Sequence, residues 1–173
     1  VPNSWSLIAT LNTYDKTSLY EMSYAFMRRF SFIRVPAPRL DGLDDAGLRA
    51  LLLEYTDQEV WDIQSASFGI DGDAEPLRDV GHVWRASNSA IEDRAIGPAV
   101  VKDMLAYLSE AQSVPWERRL TQAVISYIFP QLEGVPKRDR VVRGISDVGH
   151  LDQDLLDEAA RDILQVTIQD SDE

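Results

Sequence analysis

Residues 5–35, WSLIATLNTYDKTSLYEMSYAFMRRFSFIRV, decide how the chain is read. Trp5-Ser6-Leu7-Ile8-Ala9-Thr10 is a short, mostly apolar run that gives way to Asn12-Thr13-Tyr14-Asp15, the pattern of a buried parallel strand ending at a polar edge. Asp15, Thr17 and Ser18 are all N-cap types, and Ser18 with Glu21 three residues on forms a capping box, so a helix starts within these few residues. Leu19, Met22 and Phe26 recur at helical spacing with Tyr20, Tyr24 and Met27 beside them, which predicts a wide buried face, and Arg28-Arg29 ends the helix. After Phe30 apolar and polar residues alternate to Val35, the period of a strand, until Pro36-Ala37-Pro38 stops it. The unit is strand, helix, strand. Asn12 falls at the C-terminal end of the first strand, the edge at which open α/β sheets bind ligands.

Leu11-Asn12-Thr13-Tyr14-Asp15-Lys16, followed by Ser23-Tyr24-Ala25-Phe26-Met27-Arg28-Arg29-Phe30-Ser31-Phe32-Ile33, resembles the second half of an AAA+ ATPase core. The likeness is to the McrB-type and dynein-related branch, in which a strand ending Met-Asn-Thr-x-Asp-Arg leads into a helix ending Ala-Leu-Arg-Arg-Arg-Phe. Leu11 stands where that pattern has Met, and Lys16 where it has Arg. By this resemblance Asn12 is sensor 1, which positions the attacking water. Arg29, with Arg28 as its alternate, is the finger that reaches the nucleotide of the neighbouring subunit. The chemistry suits these residue types: a planar, always charged guanidinium supplied in trans stabilises the transferring phosphoryl group by orders of magnitude in rate. Taken singly, an Asn at a strand end is an ordinary turn former and an Arg pair after a helix an ordinary partner of its dipole. Their spacing across one helix is what carries the resemblance.

The resemblance implies a C-terminal remnant of a P-loop α/β core, two parallel strands and a helix over residues 1–40, and an α-helical lid over residues 41–173. The fold class expected is therefore mainly α with a small α/β part. A Gly-x-x-x-x-Gly-Lys-[Ser/Thr] cradle and an acidic strand end for Mg²⁺ do not occur in the chain, which opens Val1-Pro2-Asn3-Ser4 without Met. This chain is expected to be the C-terminal half of an AAA+ module and inactive by itself. ATP or GTP with Mg²⁺ is expected in the full-length protein and no cofactor in this segment alone. The partners implied are the other subunits of a homo-oligomeric ring, the Walker A and B half of the same module, and a nuclease or other effector subunit of a restriction or DNA-processing machine.

With 173 residues, 45% of them hydrophobic, the chain is long enough to bury one substantial core. It has no Cys, which excludes disulfides and thiolate metal sites, and no apolar run of bilayer-spanning length. The expectation is a cytoplasmic protein with no membrane contact. Its 29 acidic and 17 basic residues give a net charge of −12, which repels a phosphate backbone, so direct nucleic-acid binding by this segment is not expected.

Beyond the Pro-, Arg- and Asp-rich linker at 36–42 the spacing turns helical. Leu48, Leu51, Leu52 and Tyr55 predict a helix from about Asp44, and Val60, Trp61 and Ile63 another over Asp57–Ser67. Gly69–Asp73 reads as a loop whose Asp71-Gly72-Asp73 lacks the other ligands of a calcium loop. Leu77, Val80, Val83 and Trp84 predict a helix over Ala74–Ser87, weakened by Gly81. Pro98 opens the next, lined by Val100, Val101, Met104, Leu105 and Leu108. In the resembled family a sensor 2 arginine lies at the start of such a lid helix. Ala99 and Val100 occupy the expected positions, which leaves Arg94 or Lys102 as candidate nucleotide contacts.

Leu120, Val124 and Ile128 predict a helix over Trp116–Phe129 ended by Pro130. Lys137, Arg138, Arg140 and Arg143 form the one basic cluster, read as a solvated helix face rather than a subunit or nucleic-acid contact. Leu155, Leu156, Ala159 and Ile163 predict an amphipathic helix over Asp152–Ile168. His82 and His150 are too far apart in sequence to suggest a metal site or a histidine triad, and His82 is read as structural. A rival from another class is a non-catalytic helical interaction module in which Asn12 and Arg29 only hold structure.

Overall fold

The structure, a computed structural model, describes residues 7–8, 28–31, 33, 35–55, 75–91 and 95–168. The chain divides into two compact units, Val1–Pro36 and Ala37–Glu173. Six α-helices, a π-helical turn and a 3₁₀ turn make up the regular structure among the described residues, and no strand occurs among them.

Most of the expected strand–helix–strand lies outside the described residues. Where the first unit is described, it departs from the expectation of two buried strands: Leu7, Ile8, Ser31, Ile33 and Val35 have no regular structure. Ile8, Ile33 and Val35 are 86–90% exposed. Arg28 and Arg29 lie in a turn.

All the regular structure described in the second unit is helical. Helix α1, Asp45–Tyr55, starts where Asp44 Oδ1 accepts from the Gly47 N–H at 2.8 Å, an N-cap that satisfies one of the free amides of the first turn. It buries Leu48 and Leu52. Helix α2, Pro76–Asn88, begins two residues later than the spacing alone predicts, because the residue before a proline is driven out of the helical region and Glu75 is extended (φ −122°, ψ 110°). It is the central helix: Leu77, Val80, Gly81, Val83, Trp84 and Ser87 are buried, and it packs on α1 and on two further helices, α3 (Pro98–Glu110) and α5 (Arg138–Ser146).

Gly81, read from sequence as a weak point, is the place where α1 and α2 touch. A Cβ there would stand 3.2 Å from Leu48 Cβ. The missing side chain is what lets the two backbones approach.

Helix α4, Trp116–Ala123, runs into a π-helical turn, Val124–Ile128, and then a 3₁₀ turn, Phe129–Leu132. The sequence predicts a stop at Pro130, but the chain continues through it. The π turn shifts the hydrogen-bond register, with the Phe129 N–H bonding to the Val124 carbonyl, and Pro130 then falls in the first turn of the 3₁₀ segment, where no N–H is required. Helix α6, Gln153–Leu164, is capped by Asp152, whose Oδ1 accepts from Leu155 N at 3.1 Å. Its buried stripe is Leu156, Ala160 and Leu164, not the expected stripe that included Ile163, which is 55% exposed. Gln165 adopts a left-handed conformation (φ 55°) that ends the helix and returns the chain, so Val166 N bonds to the Ala160 carbonyl at 3.0 Å and Val166 takes the buried position.

The expected helix over 57–67 and the loop over 69–73 lie outside the described residues. No helix among the described residues is long and apolar enough to cross a membrane.

Candidate functional site

Of the residues named from sequence, Asn12 and Arg94 lie outside the described set. Arg28 and Arg29 are exposed neighbours in the turn of the first unit, and Lys102 is exposed on α3 of the second. The described residues therefore bring Arg28 and Arg29 together in one turn, where both side chains face solvent. The start of α3 is held firmly. Ile96 donates its N–H to Asn88 Oδ1 at 2.7 Å, and its carbonyl accepts from Trp84 Nε1 at 2.8 Å and Asn88 Nδ2 at 3.2 Å. Three side-chain bonds from α2 to one residue fix the backbone two residues ahead of Pro98, and with it the direction in which α3 presents Lys102.

The most elaborate polar cluster is one that the sequence reading did not anticipate. Asp79, in the first turn of α2, is 2% exposed. A carboxylate at that depth is tolerated only when its oxygens are hydrogen-bonded or paired. Trp116, the first residue of α4, donates Nε1–H to Asp79 Oδ2 at 2.9 Å, and Arg78 donates Nε–H to Oδ1 at 3.2 Å. His150 Nδ1 stands 3.0 Å from the same Oδ2.

His150 reaches that position from the turn between α5 and α6 because its backbone is left-handed, φ 62°, a conformation uncommon for a residue with a Cβ. Two residues on, Asp152 N donates to Thr121 Oγ1 at 2.8 Å, so the turn is fastened to α4 as well. Arg119, fully buried on α4, places its guanidinium carbon 5.1 Å from the Trp116 ring centroid, a cation–π geometry. Burial, which disfavours the charged form, pulls the Arg119 guanidinium below its ordinary value.

One carboxylate thus ties the starts of α2 and α4 to the turn before α6. A carboxylate on one imidazole nitrogen fixes the ring's orientation. The His150 side chain is 32% exposed, so solvent reaches part of the ring. Position 79 carried a signal in the sequence: it lies four residues before Val83 on the apolar side of α2, where a carboxylate must find partners. The partners Trp116 and His150 themselves stand far along the chain and were not legible.

His82, read as structural, joins α2 to α1: its Nε2 lies 2.7 Å from Asp45 Oδ1, and that hydrogen bond holds the Asp45 carboxyl below its ordinary value. Arg49 of α1 pairs with Glu75, the residue before α2. The basic cluster runs from Lys137, the residue before α5, along α5, with Lys137, Arg140 and Arg143 exposed; Asp139 and Asp147, each four residues from Arg143, interleave opposite charge. Among the described residues no group of three or more His, Asp or Glu could hold a metal ion.

Comparison with protein-family models, with curated proteins and with solved structures returned no match.

Proposed function

We propose that this chain is the sensor and lid end of an AAA+ nucleoside-triphosphatase of the McrB-type branch, working in the cytoplasm as a homo-oligomeric ring. In this reading residues 1–40 complete the α/β nucleotide-binding core and residues 41–173 form the helical lid. Asn12 orients the attacking water in its own subunit. Arg29, or Arg28 beside it, neutralises charge on the γ-phosphate across the subunit boundary. Mg²⁺ and the phosphate cradle belong to the Walker half of the module, and the nucleotide is ATP or GTP. The motor drives a nuclease or other effector of a DNA-processing system.

The observation that carries the reading is the run Leu11-Asn12-Thr13-Tyr14-Asp15 followed, one predicted helix later, by Arg28-Arg29-Phe30. It is supported by the exposure of both arginines and by a mainly helical unit that begins at Ala37, after the run has ended. The test is ATP and GTP hydrolysis by the protein carrying both halves of the module, with Asn12→Ala compared with the parent. The expected result is turnover reduced by at least about tenfold with nucleotide binding retained, since the Asn acts on the water rather than on the ground-state nucleotide. Hydrolysis at the parent rate would overturn the assignment and favour a helical interaction module.

A further inference from the structure

We draw no further inference here: the strongest candidate, the pair of buried Asp79 and partly exposed His150 where the starts of α2 and α4 meet the turn between α5 and α6, belongs to the site already described, and nothing in the structure shows what would meet its imidazole.

Discussion

Replacing Asp79 with Ala should destabilise the helical unit by about 2–4 kcal/mol, and the figure follows from what each partner would lose. The Trp116 N–H is buried with Asp79 Oδ2 as its acceptor, and a buried donor left without one costs about 1–3 kcal/mol. Arg78 and His150 are partly exposed and can turn to water, so their losses are those of surface contacts, about 0–1 kcal/mol each. Removing the carboxylate also removes its own desolvation cost, which keeps the total below the simple sum.

Asp79→Asn keeps one oxygen for the indole but loses the charge and turns an amide N–H₂ toward Arg78, so about 1–2 kcal/mol is expected. Urea denaturation of the parent and both variants measures these values, and Trp116→Phe completes a double-mutant cycle. With no indole donor to leave stranded, Asp79→Ala should cost about 1–2 kcal/mol less when made together with Trp116→Phe than when made in the parent. Equal costs in the two backgrounds would refute the view that the carboxylate is held there by the tryptophan.

Gly81→Ala should gain nothing from helix propensity, because the added methyl meets Leu48 Cβ at 3.2 Å. The usual benefit of about 1 kcal/mol is offset by an overpacking cost of about 1–3 kcal/mol, and a melting temperature raised by several degrees would contradict the close α1–α2 contact. The Asp45 carboxyl should titrate, by NMR, below the ordinary aspartate value of about 3.9 and return toward it in His82→Ala. Because the folded value is the lower one, its contribution to stability is present above about pH 4 and disappears as pH falls through the depressed value; an unchanged midpoint in the variant would sink this reading. With a net charge of −12, thermal stability should rise with ionic strength as screening relieves self-repulsion, and a melting temperature that falls from low to molar KCl would contradict it.

Helix positions in the second unit were legible because they rest on local rules. Leu48 and Leu52, Val80 with Val83 and Trp84, and Met104 with Leu105 and Leu108 repeat at helical spacing and are buried as that spacing requires. Helix ends were less legible where a local rule had an exception. Pro130 is accommodated by a π turn that no periodicity announces, and Ile163 yields its inward place to Val166 through a left-handed glutamine. Propensity, a property of one helix alone, marks Gly81 as a weak point, whereas its role depends on Leu48 of a second helix. The Asp79 cluster was illegible for the same reason. Its members come from three elements, and only tertiary packing selects His150 as a partner. In the first unit the candidate site rests on resemblance, with Arg28 and Arg29 described as exposed and Asn12 outside the described residues.

The central claim is that the arginine pair works across a subunit boundary, and a mixing experiment on the protein carrying both halves of the module tests it most directly. Arg29→Ala alone should lose nearly all turnover while keeping nucleotide affinity, because a finger stabilises the transition state and contributes little to ground-state binding. Adding a subunit with a disabled Walker A lysine, itself inactive, should restore hydrolysis, since some boundaries then join an intact nucleotide site to an intact arginine. Recovery of activity in the mixture is the predicted result. Parent-level hydrolysis by both Arg29→Ala and Arg28→Ala, or an inactive mixture of assembled rings, would contradict it.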